Sequence, residues 1–345
     1  MRPERYAYFR RDLHFIKPAF TSRGEMHSKT TYYIVAYGKD PTKPGIGECG
    51  IIEGLSVETE AEVEAALNVI VSGYIPEQLP SSVRFGLETA VYDLEHGGRK
   101  MIFPCDAPMI PINGLLWMDT DENVLDSALE LMKMGFRFLK LKISGKKIED
   151  DLKLIAKIKK LAERNYKEIL IRVDANGSLN SGDLTSILKE LAALGVESIE
   201  QPLPPWNSVG INYHATKVKV FYDEELIGRD AETVKGLIML TRPHGLVLKP
   251  SLLGGFKKCA ELITVARQLG MKIRITSMLE GNIGLNAIAQ WAATQPYEGP
   301  QGLGTGKLFL DNIASPWIIS HGGYLKYNRQ GVWDEEFFKE CLNPS

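Results

Sequence analysis

The sequence predicts an α/β protein: a (β/α) barrel preceded by an α+β capping domain. Three observations predict it. From about residue 110 onward, short β-rich runs alternate with amphipathic helical stretches, the sign of a parallel sheet built from βα units. Eight such runs can be counted, the number that closes a barrel. An open doubly wound sheet would carry a G-x-G-x-x-G turn after an early strand, and none is present.

In chain order, residues 1–105 read as mixed structure, with strand patterns at 6–15 and 30–37, a Gly/Pro-rich turn, and helical patterns at 57–71 and 81–96. The barrel is expected over 106–309. Its strands are expected at 111–117, 138–143, 169–174, 198–201, 219–223, 245–249, 272–277 and 302–305, with helices at 121–134, 149–164, 181–194 and 255–269. Residues 310–345 leave the alternation and are expected to pack back on the capping domain.

Composition narrows the function classes. The chain has 345 residues, 24% of them charged and 44% hydrophobic, enough for a large core or two domains. A net charge of -2 and a pI near 6.4, with both signs interspersed, give no reason to expect nucleic acid or an anionic membrane as partner. Four cysteines at 49, 105, 259 and 341 show no metal-binding or disulfide spacing, so reduced thiols and a cytoplasmic location are expected. The amino terminus lacks a continuous apolar core, and no run of about 18 apolar residues occurs, so neither secretion nor a membrane span is expected. Oligomeric state is not legible.

The unusual residues fall at the carboxyl ends of the expected strands, where a barrel places its chemistry. Lys140 and Lys142 sit in the run Phe138-Leu139-Lys140-Leu141-Lys142-Ile143, so period-two alternation aims both ammonium groups at one face. Alone, this pattern also fits an exposed edge strand with snorkelling lysines. Crowded lysines, however, acquire lowered pKa values and supply a neutral amine near neutral pH.

Asp174, Glu200 and Asp223 then end three successive strands, at intervals of 26 and 23 residues. Singly, each could be a turn or helix-capping residue. Three converging carboxylates without a cation would repel and take up protons. An all-oxygen set without Cys or His suits Mg²⁺, with Mn²⁺ as the alternative. Lys249 ends the next strand, 26 residues on, and would face the first lysine pair across the metal.

These motifs, Lys140-x-Lys142, Asp174-Ala175-Asn176, Glu200-Gln201-Pro202, Asp223-Glu224 and Lys249-Pro250, resemble the enolase superfamily, in particular its muconate-lactonizing-type subgroup with a modified TIM barrel. Further likeness lies in Thr21-Ser22-Arg23-Gly24, Asn113-Gly114-Leu115-Leu116-Trp117, residues 276–286 and Gly302-Leu303-Gly304-Thr305. The resemblance implies proton abstraction next to a carboxylate. Lys142 would be the base, Lys249 would stabilise the intermediate from the opposite side, and Lys140 would keep Lys142 neutral and oriented.

Asp174, Glu200 and Asp223 would hold the metal, with Glu224 in support; period-two spacing sets Arg172 and Asn176 on the side of Asp174, either as further support or as barrel-interior packing and a turn amide. Thr276, Ser277 and the backbone at Gly302 would bind the substrate carboxylate, and residues 20–29 would form a lid. Within the subgroup the likeness is strongest to dehydrating members, carbon–oxygen lyases of menaquinone biosynthesis. Racemases and dipeptide epimerases are the alternative. Racemases use a His after the seventh strand, where this chain has Arg274-Ile275-Thr276-Ser277. Dipeptide epimerases carry Asp-x-Asp past the eighth strand, where this chain has Gly304-Thr305-Gly306. Gly281 and Gly304 stand where relatives often have Ser and Asp.

Overall fold

Hydrophobic residues of both parities along residues 32–37 bury one strand on both of its faces. The computed structural model describes residues 3–21, 24–98, 100–103, 108–145, 147–165 and 168–342. In it β1 (Arg5–Thr21), β2 (Gly24–Tyr37) and β3 (Gly45–Gly50) form an antiparallel sheet in that order. Tyr32, Ile34 and Ala36 meet α1 (Glu60–Val71) and α2 (Ser81–Glu95) on one face. Tyr33, Val35 and Tyr37 point to the other. Helix α1 starts on a capping box, Thr59 and Glu62 satisfying each other's backbone N–H groups.

After this capping sheet come β4 (Met109–Pro111), β5 (Gly114–Leu116), α3 (Asp121–Lys133), β6 (Phe138–Lys142), α4 (Ile148–Asn165), β7 (Leu170–Asp174), α5 (Leu184–Ala193) and β8 (Ser198–Glu200). They are followed by β9 (Lys219–Tyr222), α6 (Ala231–Thr241), β10 (Gly245–Leu248), α7 (Pro250–Leu253), α8 (Phe256–Gln268), β11 (Lys272–Ile275) and α9 (Asn282–Ala293). Strands β5 to β11 pair in chain order, all parallel, as a seven-stranded sheet.

The eighth strand expected at 302–305 is not a ladder. Gln301 and Gly302 instead close the ring by isolated parallel bridges, Gly302 to Thr276 and Gln301 to Ile112. A Cβ on Gly302 would stand 2.6 Å from Thr276 Oγ1, so glycine is what lets the two backbones meet there. No α-helix links β8 to β9 among the described residues; a 3₁₀ turn at Tyr213–Ala215 lies between them.

Residues beyond 310 divide between two neighbours. The hairpin β12 (Trp317–Ser320) and β13 (Tyr324–Tyr327) pairs with β4, whereas α10 (Glu335–Leu342) sets Phe337 and Cys341 against Tyr33, Val35 and Tyr37 of the capping sheet. The long β1–β2 hairpin reaches the barrel rim: Ile16 N–H donates to Leu308 O at 2.9 Å, and Leu310 N–H to His14 O at 2.8 Å. Within the lid expected at 20–29, Ser22 and Arg23 lie outside the described residues, as does Cys105; residues 24–29 are the start of β2. No described helix is long and apolar enough to cross a membrane.

Candidate active site

Parallel pairing without register shifts stacks the strand ends side by side. Lys142 is opposite Asp174 on β7, and Asp174 opposite Glu200 on β8. Inward alternation carries Asp223, just past β9, and Lys249, just past β10, to the same rim. Lys140, Lys142, Asp174, Asn176 and Lys249 line one cavity of about 230 Å³ with Asn113, Trp117, Thr276, Ser277, Gly302 and Thr305. Ile52 and Leu55, from the loop after β3, close it from the capping side.

Each carboxylate of the rim faces an ammonium group. Lys140 Nζ lies 2.6 Å from Glu200 Oε1 and 2.9 Å from Asp174 Oδ2, and Lys249 pairs with Asp223 Oδ2. Burial works against the charge of Lys140 and Lys249, but the surrounding carboxylates outweigh it and hold both above the usual lysine range. Lys142 differs. Its Nζ bonds Asn176 Oδ1 at 3.2 Å and lies 5.5 Å from the Trp117 ring centre. Burial, reinforced by Lys140 and Lys249 and opposed by Asp174 and Glu224, leaves it below the usual range.

The carboxylates feel one another. Glu200 is pushed up to about 7 by burial, with Asp174 and Asp223 adding repulsion against the pull of Lys140 and Lys249. Asp223 is pushed up to about 6 by burial, with Glu224 and Asp174 adding to it against Lys249. Burial also works to raise Asp174, yet Lys140, Lys142 and Lys249 hold it well below the usual range.

Among the described residues no three His, Cys, Asp or Glu side chains already form a metal cage. The donor set nevertheless fits a hard dication: three mutually repelling carboxylates share one rim, and beside them Glu224 Oε2 is buried with no hydrogen-bond partner among the described residues.

The supporting residues differ in place. Asn176 links Lys142 to Glu224, its Nδ2 donating to Glu224 Oε1 at 3.0 Å. Arg172 takes the barrel-interior place that its spacing also allowed. It lies one layer below the carboxylates, bonding Glu197 at 3.2 Å and Pro300 O at 2.7 Å, with its guanidinium over the Phe138 ring. The reason is period two: Arg172 shares the inward face with Asp174 but sits about 7 Å further down the strand.

Thr276 and Gly302 line the cavity as a bridged pair. Ser277 lines it too, but its hydroxyl donates to Glu280 and accepts from Thr305 Oγ1 at 2.8 Å and Leu279 N–H at 3.1 Å. These three bonds fix the hydroxyl in the cavity wall.

Gln201, in the run Glu200-Gln201-Pro202, has a role that sequence reasoning missed. Its side-chain carbonyl accepts the N–H groups of Asp223 at 3.0 Å and Glu225 at 3.2 Å, fixing the turn that presents Asp223. Its place directly after Glu200 was the available signal. Trp117 and Asn113, the two ends of the run Asn113-Gly114-Leu115-Leu116-Trp117, also line the cavity.

Comparison with known proteins agrees with this geometry. Residues 123–331 match the family Enolase C-terminal domain-like. An o-succinylbenzoate synthase of Desulfotalea psychrophila is 33% identical over 365 aligned residues, covering 92% of this chain and 97% of its own. The chain belongs to the enolase superfamily. The crystal structure of MenC from the same organism superposes with a TM-score of 0.79 at 31% identity, covering 96% of this chain and 100% of that one. A dipeptide epimerase of Enterococcus faecalis, complexed with Mg and L-Leu-L-Tyr, shares the fold with a TM-score of 0.84 at 18% identity, covering 97% of this chain and 99% of its own.

Proposed function

We propose that this protein is an o-succinylbenzoate synthase, a hydro-lyase of menaquinone biosynthesis that removes water from 2-succinyl-6-hydroxy-2,4-cyclohexadiene-1-carboxylate. One observation carries the reading: Lys142 and Lys249 face one cavity from opposite sides of the Asp174, Glu200 and Asp223 layer. Its support is a chain-length match to a synthase at 33% identity.

A hydrogen next to a carboxylate is a very weak acid, so its removal requires strong stabilisation of the enediolate that forms. Asp174, Glu200 and Asp223 would hold Mg²⁺, with Mn²⁺ as the alternative; when bound, the ion would supply electrostatic stabilisation to the substrate carboxylate. Lys142, as neutral amine, takes the proton from the ring carbon bearing the carboxylate, and the C–H electron pair enters the enediolate. Collapse of the enediolate forms the aromatic ring bond and expels the neighbouring hydroxyl, which leaves as water with the proton returned by Lys142. Lys249, charged, stabilises the intermediate from the opposite face. Lys140 holds Asp174 and Glu200 together and keeps positive potential beside Lys142. The mostly apolar walls, Ile52, Leu55, Trp117, Met278 and Leu279 among them, exclude water from the reacting carbons.

The test supplies Mg²⁺ with two substrate types, the cyclohexadiene carboxylate and N-acyl amino acids or dipeptides. Dehydration without α-proton exchange of the amino-acid derivatives supports the synthase. Exchange without dehydration would replace it by racemisation or epimerisation, which two opposed lysines also permit. A cytoplasmic location accords with the proposal.

A further inference from the structure

Residues 276–279, on the loop after β11, build one wall of the cavity. This wall is not a relaxed turn. Leu279 has φ 64°, a left-handed conformation that L side chains avoid, so something must hold it.

Three buried charged side chains do so, and none of them lines the cavity. Glu280 Oε2 accepts the Met278 N–H at 2.8 Å and the Ser277 hydroxyl, and its Oε1 accepts the hydroxyl of Ser251 on α7. Lys29, on β2, donates to Leu279 O at 3.0 Å. Glu48, on β3, accepts the Gly281 N–H at 2.6 Å and the Gly284 N–H at 2.7 Å, at the start of α9. The unpaired N–H groups and positive end of that helix suit a carboxylate. Room for it comes from two missing side chains, since a Cβ on Gly281 or Gly284 would stand 3.1 or 3.2 Å from Glu48 Oε2.

Lys29 and Glu48 belong to the capping sheet, while the wall belongs to the barrel. Apolar contacts could join the two with less desolvation cost, but buried charges bonded to specific backbone groups also fix position. We infer that Glu48 and Lys29, with Glu280, are positioning residues that hold the wall at 276–279 in the shape that receives the substrate, so that seating of the capping sheet sets the form of the cavity. The inference rests on the proposed function only for the substrate and product used to read it.

Glu48→Gln and Glu280→Gln change charge and hydrogen bonding with little change of volume. The experiment measures kcat, KM, the dissociation constant for o-succinylbenzoate, the melting temperature, and amide hydrogen exchange across 276–284. In each variant KM and the product dissociation constant are expected to rise at least about tenfold, as for residues that orient a binding group from behind, with kcat changed less than about threefold. The double variant should cost less than the two single effects multiplied, because both act on one wall. Glu48→Asp, which keeps the carboxylate, should recover part of the affinity. Exchange should quicken within 276–284.

A lower melting temperature with unchanged KM, product affinity and exchange would overturn the inference, leaving a brace for the fold alone. So would a loss confined to kcat. Absence of dehydration by the unaltered protein would instead overturn the proposed function, and exchange across 276–284 in Glu48→Gln would still decide the wall: unchanged exchange sinks it.

Discussion

The Nζ of Lys142 stands 3.2 Å from the Oδ1 of Asn176. Asn176 is itself anchored at both ends, its backbone N–H on Asp174 Oδ1 at 3.1 Å and its Nδ2 on Glu224 at 3.0 Å. Its φ of 43° is one that Asn tolerates better than most residues. The amide therefore aims the amine. Asn176→Gly removes the amide and tolerates that φ, and should lower kcat/KM by roughly 10- to 100-fold in steady-state kinetics. Unchanged kcat/KM would show that Lys142 is oriented by other contacts.

The lysine contacts of Asp174, Glu200 and Asp223 lead to a second expectation. Removal of divalent cations with a chelator should abolish turnover, and added Mg²⁺ should restore it. Titration calorimetry should find Mg²⁺ affinity sharply reduced in Glu200→Ala, since one of three anionic donors is gone. Full affinity in that variant would contradict the assigned ligand set.

Below the rim, Glu197 joins Arg172, Arg274 and Lys219. Burial works to raise this carboxyl, but Arg274, the Ser198 hydroxyl, Arg172 and Lys219 prevail and bring it from 4.5 down to about 2. A depressed folded-state value means that the stabilisation is present above the unfolded pKa and is lost as pH falls from about 4.5 toward about 2. Glu197→Gln should therefore cost roughly 2–3 kcal/mol at neutral pH, with a smaller difference from the unaltered protein near about pH 3. Urea unfolding at the two pH values checks this; an equal difference at both would mean that the carboxylate charge is not what stabilises.

Much of this arrangement was legible because the decisive residues obey local rules. Lys142, Asp174, Glu200, Asp223 and Lys249 fall at or just past the ends of five successive strands, with Lys140 two residues before Lys142 on the same face, so period-two alternation and barrel closure place them on one rim. The eighth strand was misread because its closing contact needs only Gln301 and Gly302, and the glycine serves close approach to Thr276, not strand propensity.

The hydrogen-bond partners of Arg172 and Ser277 were not legible for a different reason. Their partners, Glu197 and Pro300 for one, Glu280 and Thr305 for the other, follow from packing, and neither spacing nor polarity reveals which hydrogen bonds are already filled. The grip of Glu48 on Gly281 joins residues more than 230 positions apart, which no local pattern encodes.

Lys142 is the group assigned to remove the proton next to the substrate carboxylate. The most direct test of this assignment is the rate of o-succinylbenzoate formation by Lys142→Ala, with folding and Mg²⁺ binding measured on the same sample. A folded, Mg²⁺-binding variant should give no detectable product; product formed at the rate of the unaltered protein would mean that another group is the base.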